Sequence, residues 1–547
     1  MPETVLQLNP RDNVLVALTT LDLGTQVRFG PAASPSTCMV TQTIPAKHKM
    51  AMVDLKPGDI IFMYGMVVGE VVEAIPRGGL LTPRNIRHRT AEYSAERHPV
   101  SHALPDPTPW MNRTFMGFHR ADGQVGTRNY WIIVPLVFCE NRNIEQMREA
   151  LEEELGYGKA KSRYRQHVRE LIQRQGPGSL EGEILADAKR ERVFPNLDGV
   201  CFLPHQGGCG GTRADSQALC GLLAGYINHP NVAGATVLSL GCQYAQSNIL
   251  MEEMRARDPQ LRKPVIIVDQ QSAGLESKMM EQALDKTFAG LTEANRAQRA
   301  PAPLSALTIG LQCGGSDGFS GISANPTVGY VSDLIVGVGG TTMLSEFPEL
   351  HGVEQELINR CSTDELAQRF RDLMQAYAAS ARAANTDFAF NPSPGNIRDG
   401  LITDAIKSAG AARKGGESPI NGVLDYPEYV SARGFNLQCT PGNDVESVTA
   451  QVGAGSNLIL FTTGLGTPTG SPIAPVVKIS TNTTLAERMG DIIDFDAGPI
   501  MRGESTIRES AEKLLELSIE VANGERHTKA EVNGQNDFIP WKRGVSL

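Results

Sequence analysis

Short apolar runs alternate with amphipathic stretches through most of this chain. Four of the runs end at glycine-rich or polar turns, namely residues 131–137, 200–203, 235–240 and 307–311. Runs of this length and composition are typical of buried parallel strands. Stretches with helical periodicity follow them, as at 144–155 and 216–227. The pattern predicts an α/β region with mainly parallel sheets.

The first ninety residues show a different pattern of apolar and turn residues. They contain short β-rich stretches at 13–18, 50–53, 60–63 and 67–72, separated by glycine- and proline-containing turns, which predicts a small all-β domain. Residues 91–112 contain prolines and have no hydrophobic periodicity, which predicts a linker. We therefore predict an all-β domain at 1–90, a linker at 91–112, a first α/β domain at 113–303 and a second at 304–547.

A cysteine lies just after each of the four apolar runs. These cysteines are Cys139, Cys209, Cys242 and Cys313, and glycines flank the last three of them. Ligands of open α/β sheets bind at the carboxyl ends of the strands, and soft thiolates favour a transition metal or an iron–sulfur centre. Simple packing is the alternative, and we assign it to Cys38, Cys201, Cys220, Cys361 and Cys439.

Composition and charge narrow the class of protein. The chain has 547 residues, a net charge of −10 and no basic stripe, which disfavours nucleic-acid binding and points to a small-molecule ligand. We expect no membrane association, since no apolar run reaches about 18 residues. The N-terminus lacks the pattern of a signal peptide, so we expect a cytoplasmic protein with reduced thiols. A homo-oligomer is also expected.

Four longer motifs identify a family. Phe115–Asn129, Gln312–Pro326, Asn391–Asn396 and Thr462–Pro468 closely resemble segments of the altronate dehydratase and galactarate dehydratase family, in the same order. The resemblance implies an antifreeze-like (SAF) β-clip domain over residues 12–88. It also implies loss of water from a sugar acid to give a 2-keto-3-deoxy acid. The cofactor implied is iron, as Fe²⁺ or an iron–sulfur centre, with Mn²⁺ or Mg²⁺ as alternatives.

Within the family, the motifs at 349–355, 439–444 and 494–498 resemble the altronate branch. Residues 79–85 depart from that branch, because they lack its histidine-rich segment, and residues 75–78 resemble the galactarate branch. We therefore expect altronate as the substrate, with galactarate as the alternative. A carbon–sulfur lyase acting on sulfolactate and a non-catalytic sugar-acid-binding protein are the further alternatives.

Dehydration of a sugar acid needs a base for the proton beside the carboxylate and a Lewis acid or proton donor for the leaving hydroxide. His205 is the first candidate for base or metal ligand, and His48 is the second. Ser316 and Asp317 are the other catalytic candidates, with a helix cap or turn as the structural alternative for Asp317.

The candidates for binding substrate lie on loops rich in glycine and proline. Arg128 could pair with a carboxylate, or could form a structural salt bridge. The remaining candidates are Asn129, Asn325, Asn396, Thr463 and Thr467, for which turn formation is the alternative. His119, His229 and His351 are interpreted as surface or packing residues.

Overall fold

The structure is a computed structural model that describes residues 4–30, 35–94, 96–157, 163–175 and 191–546. The chain divides into two compact units. Unit 1 comprises residues 1–127 and 300–541, and unit 2 comprises residues 128–299 and 542–547. Each unit is built around its own parallel sheet.

The N-terminal part of unit 1 consists of small antiparallel sheets. Their strands are Val5–Leu6, Val14–Ala17 and Lys49–Ala51 in one sheet, Ile60–Met63, Met66–Val71 and Ile86–Arg87 in a second, and Gln26–Phe29 with Ser36–Met39 in a third. These strands confirm the all-β domain that the sequence predicts. A further small sheet joins Val125–Gly126, Thr114–His119 and Arg299–Pro303.

A seven-stranded parallel sheet forms the centre of unit 1. In sheet order its strands are Ile420–Leu424, Gly434–Gln438, Thr341–Leu344, Thr308–Cys313, Leu458–Thr463, Val476–Ser480 and Phe495–Asp496. The strands Thr308–Cys313 and Leu458–Thr463 are almost wholly buried, as strands covered by helices on both faces must be. The predicted run at 307–311 is thus a central strand.

Helices surround this sheet. They are Ala324–Gly337, Glu354–Arg360, Asp364–Ala383, Pro394–Arg398, Asp404–Ala411, Asp444–Gly453, Thr483–Arg488, Ile507–Asn523 and Lys529–Asn533. Short 3-10 turns lie at Thr108–Trp110, Leu304–Ala306, Phe347–Leu350, Phe388–Phe390, Ala412–Gly415 and Gly498–Arg502. One continuous hydrophobic core runs from β-clip residues such as Val68 to sheet residues such as Leu460, so the two parts of unit 1 fold against each other.

Unit 2 has a four-stranded parallel sheet in the order Gly199–Phe202, Tyr130–Pro135, Val232–Ser239 and Val265–Asp269. Its helices are Asn141–Glu154, Arg163–Gln175, Arg213–Asn228, Ser247–Arg257, Gln270–Ala273 and Glu276–Ala294, with a 3-10 turn at Phe138–Glu140. These elements confirm the predicted α/β pattern. Among the described residues we find no helix with the length and apolar character needed to cross a membrane.

Candidate active site

A cluster of ionisable side chains is buried at the carboxyl edge of the seven-stranded sheet. Cys313 ends the central strand, and Glu346 and Glu349 follow the neighbouring strand Thr341–Leu344. Lys407 and Lys414 come from the helix Asp404–Ala411 and the turn after it. We call these five residues the thiol–carboxylate cluster. Its thiol and two carboxylates offer ligand atoms within 4.8 Å of one another.

Short contacts hold this cluster together. Lys414 Nζ lies 2.6 Å from Cys313 Sγ, which is also 3.3 Å from Glu349 Oε2. Lys407 Nζ lies 2.7 Å from Glu349 Oε1, and the side chains of this ion pair are only 10% and 6% exposed. Glu346 has a left-handed backbone with φ of 66°, a conformation rare for a residue with a side chain. Strain of this kind is concentrated at functional sites.

The environment sets the charge of each member. Burial and the Glu349 charge raise the pKa of Cys313, and the same two effects raise the pKa of Glu346. Burial opposes ionisation of Glu349, but Lys407 and Lys414 outweigh it and lower its pKa. Burial also disfavours both charged lysines, yet the anionic groups around them raise their pKa values. The environment thus opposes ionisation of Cys313 and Glu346 and favours the ionised forms of Glu349, Lys407 and Lys414.

A second charged group lies at the other end of the segment 313–317. Asp317 is fully buried, and its Oδ2 lies 3.0 Å from Lys47 Nζ and accepts a hydrogen bond from Thr481. Lys47 also pairs with Asp399 at 2.8 Å. Lys47 comes from the β-clip, so two parts of unit 1 contribute to this group.

The β-clip loop approaches the catalytic region very closely. A Cβ atom on Gly318 or on Gly400 would overlap the carbonyl oxygen of Lys47. Lys49 is fully buried beside them and donates hydrogen bonds to the carbonyl oxygens of Gly400 at 2.6 Å and Lys47 at 3.1 Å. Burial lowers the pKa of Lys49 to about 7.

His48 lies between these two lysines and is partly exposed. Its Nε2 is 3.0 Å from the carbonyl oxygen of Arg398. A carbonyl oxygen can only accept a hydrogen bond, so Nε2 must carry the proton. Nδ1 is then the unprotonated nitrogen of the neutral ring. Burial lowers the pKa of His48, which keeps the ring neutral at pH 7. Nδ1 is therefore the ring nitrogen that can accept a proton.

Three of the other predicted residues of unit 1 lie in regular elements and not in loops as predicted: Asn325 and Asn396 in the helices Ala324–Gly337 and Pro394–Arg398, and Thr463 at the end of the strand Leu458–Thr463. Asn396 donates from Nδ2 to the Ser316 carbonyl oxygen at 2.7 Å, and so positions the loop before Asp317. Thr463 Oγ1 accepts hydrogen bonds from the backbone N–H of Gly466 and of Thr467. Asn325 bonds Gly410 and Thr462 and is buried. Asn396 and Thr463 therefore hold loops in place, whereas Asn325 joins a helix to a strand.

Unit 2 carries the other three predicted metal ligands. Cys139, Cys209 and Cys242 follow three neighbouring strands of its sheet, and all three are exposed. Their loops are joined by backbone hydrogen bonds, from Phe138 to Gly207 at 3.1 Å and from Tyr244 to Gly208 at 3.0 Å. A Cβ on Gly208 would overlap the Leu136 carbonyl oxygen, so this contact requires glycine.

The remaining predicted residues of unit 2 are buried. His205 Nε2 lies 2.7 Å from the Pro135 carbonyl oxygen, and its Nδ1 accepts from the Gly207 N–H at 3.1 Å. Both ring nitrogens therefore bond to backbone, and burial lowers the pKa of His205 to about 4. This arrangement favours a structural role in the loop that leads to Cys209.

Arg128 and Asn129 lie at the start of unit 2 and are fully buried. The Asn129 N–H donates to Asp198 at 2.6 Å, and its side-chain amide donates to two carbonyl oxygens, including that of Asn196 at 2.9 Å. The Arg128 N–H donates to Asn231 Oδ1 at 3.3 Å. Asn129 thus joins segments of unit 2.

Models of one protein family match along nearly the whole chain. The D-galactarate/altronate dehydratase C-terminal model matches residues 304–546, and the D-galactarate dehydratase/altronate hydrolase second-domain model matches residues 117–295. The altronate/galactarate dehydratase SAF-domain model matches residues 3–89. The match over residues 3–89 confirms the predicted SAF domain.

Characterised relatives are similar over their full lengths. The altronate dehydratase of Bacillus subtilis (strain 168) is 32% identical, with all of both chains covered. The altronate dehydratase of Escherichia coli (strain K12) is 31% identical over 99% of each chain. The galactarate dehydratase (L-threo-forming) of Escherichia coli (strain K12) is 32% identical over 98% of this chain and 95% of its own.

Proposed function

Because this chain belongs to the altronate/galactarate dehydratase family, we propose that it removes water from altronate to give a 2-keto-3-deoxy acid. The observation that carries the proposal is the thiol–carboxylate cluster, defined above by Cys313, Glu346, Glu349, Lys407 and Lys414. Burying ionic groups seldom adds net stability, whereas active sites gather groups with perturbed pKa values. The cluster also lies at the sheet edge where α/β proteins bind ligands.

The lysines of the cluster suit a carboxylate. The anionic groups around Lys407 and Lys414 raise the pKa values of both, so an ammonium group is available to pair with a substrate carboxylate. Altronate and galactarate both carry such a group, and the choice of altronate rests on the altronate dehydratase relatives.

His48 is the proposed base for the proton beside the substrate carboxylate. Its Nε2–H is held by the Arg398 carbonyl oxygen, which leaves Nδ1 to accept the proton. The Lys47–Asp317 pair beside His48 and the thiol of Cys313 lie at the two ends of the short segment 313–317.

Asp444 is the proposed proton donor to the departing hydroxide. A Cβ on Gly314 would overlap the Asp444 carboxylate, which places this group next to Cys313. Burial, followed by the charge of Glu349, raises the pKa of Asp444 to about 6. An acid with a pKa near the working pH transfers protons efficiently.

A metal ion fits the cluster. A thiolate and two carboxylates, from Cys313, Glu346 and Glu349, suit Fe²⁺ or Mn²⁺ better than Mg²⁺, which prefers oxygen ligands alone. When bound, such an ion supplies Lewis-acid polarisation of the substrate hydroxyl. The exposed thiols of Cys139, Cys209 and Cys242 are the alternative ligands, for an iron–sulfur centre.

The test combines metal analysis with turnover. The protein is purified without oxygen, analysed for iron and acid-labile sulfide, and assayed with altronate, galactarate and sulfolactate. We expect 2-keto-3-deoxy acid from altronate, and a His48→Gln variant slower by roughly 10²–10⁴-fold in kcat. His102→Gln is the matched control, since His102 pairs with Glu417 and has no proposed catalytic role.

Each other outcome has a defined meaning. Sulfite release from sulfolactate would make the protein a sulfo-lyase. Tight binding of altronate without turnover of any of the three acids would indicate a binding protein. Full activity of His48→Gln would exclude His48 as the base while leaving the reaction class intact.

A further inference from the structure

Two histidines and an aspartate converge in unit 1 outside the thiol–carboxylate cluster. His351 Nδ1 lies 3.1 Å from Asp404 Oδ2, and the rings of His88 and His351 stack with centroids 5.2 Å apart. One ligand atom from each of the three residues lies within 4.8 Å of the others. Three segments meet here: His88 follows the strand Ile86–Arg87 of the β-clip, His351 follows the turn Phe347–Leu350, and Asp404 begins a helix.

Two buried polar atoms at this place lack hydrogen-bond partners among the described residues. They are His88 Nδ1 and Asp404 Oδ1. Asp404 itself is fully buried. A buried polar atom without a partner is costly, and native structures contain few of them. A bound cation that accepts a lone pair from each atom would give both atoms a partner.

The charge around the three residues also favours a cation. Glu354 is buried and, like Asp404, acts on His351 with its negative charge, and Asp387 acts on both histidines. His351, when protonated, and Lys407 are the positive groups that act on Asp404. The carboxylates therefore outnumber the positive side chains.

We propose that His88, His351 and Asp404 bind a divalent transition-metal ion, Fe²⁺ or Zn²⁺, at a site distinct from the thiol–carboxylate cluster. Two imidazoles with one carboxylate form a ligand set typical of these ions, whereas Ca²⁺ and Mg²⁺ prefer oxygen ligands alone. The ion joins the end of the β-clip to the two segments that carry Glu349 and Lys407. Its role is therefore to position these segments, and the inference stands whether or not altronate is the substrate.

Co²⁺ titration of the metal-free full chain tests the site, because Co²⁺ reports its ligands by visible absorption. We expect two Co²⁺ ions per wild-type chain, one with a thiolate charge-transfer band. His88→Gln should lose the ion without that band, with an affinity loss beyond the roughly 10–100-fold typical of removing an outer partner. Cys313→Ser should lose the other ion. His102→Gln should bind both.

A second variant and a folding measurement distinguish loss of the site from misfolding. His351→Gln should lose the same Co²⁺ ion as His88→Gln, and the circular dichroism of each variant shows whether it folds. The proposal is overturned if folded His88→Gln or His351→Gln binds Co²⁺ with wild-type stoichiometry and affinity. It is equally overturned if the wild-type chain binds a single Co²⁺ that Cys313→Ser abolishes. Neither result depends on turnover, so failure here is distinguishable from failure of the proposed reaction.

Discussion

Substitution of Lys407 by methionine should destabilise unit 1 strongly, because it leaves a buried carboxylate without its main partner. Lys407 Nζ and Glu349 Oε1 are 2.7 Å apart, which corresponds to an attraction of about 6 kcal/mol at an effective dielectric constant of ~20. Loss of one partner of such a buried pair typically costs about 3–5 kcal/mol. Lys414 still acts on Glu349, so we expect about 3 kcal/mol.

Urea unfolding followed by tryptophan fluorescence measures this loss. The loss should be smaller at acidic pH, because the unpaired Glu349 carboxyl then takes up a proton in the folded state. Arg508→Met is the matched control: it breaks an exposed pair with Glu512 at 2.8 Å and should cost at most about 0.5 kcal/mol.

The double variant Lys407→Met/Glu349→Leu separates stability from function. Replacing both partners by apolar side chains removes the unpaired charge, so about 2 kcal/mol or more should return relative to the single variant. Turnover should stay lost, because the cluster has lost two members. A single variant that costs less than about 1 kcal/mol, or a double variant no more stable than the single one, would refute this account of the buried pair.

Further predictions concern Lys49 and the cysteines. The pKa of Lys49 is lowered by burial to about 7 from 10.5, so the unfolded chain binds more protons between these values and Lys49 makes stability rise with pH across that window. Lys49→Met should remove up to about 1.4 kcal/mol per pH unit of that rise, as measured by urea unfolding at pH 7.5 and 9.5. Cys313→Ser should lower iron content and activity, whereas Cys220→Ser, which changes a buried helical thiol, should not. Iron loss in Cys209→Ser, with full occupancy in Cys313→Ser, would instead assign the iron to the exposed thiols of unit 2. Full iron occupancy in both variants would contradict thiolate ligation at those positions.

The sequence predicted the framework well because burial leaves a local signature. The apolar runs before Cys209 and Cys313 are strands within a residue or two of the predicted bounds, since only a strand buried on both faces needs such a run. The β-clip strands, such as Ile60–Met63, were predicted for the related reason that tight turns delimit them. Family motifs then predicted the domain type.

The candidate site was predicted only in part. Glu346 follows a strand that ends at the same sheet edge as Cys313, and this position in the sequence could have indicated that it belongs to the site. Lys407 and Lys414 gave none, because a lysine in a helical pattern is normally solvent-exposed and only the tertiary fold buries these two. His351 was interpreted as a packing or surface residue for the same reason, since its neighbours are distant in sequence.

The contact of the Lys47 carbonyl with Gly318 and Gly400 has a consequence for how members of this family can diverge. A larger residue at either glycine is sterically excluded while the loop keeps its path, and any insertion in the loop would displace Lys47 and His48 together. The loop and the two glycines should therefore change in concert between related sequences. A β-clip exchanged between relatives will therefore pack correctly only when the receiving glycine positions accommodate the incoming loop.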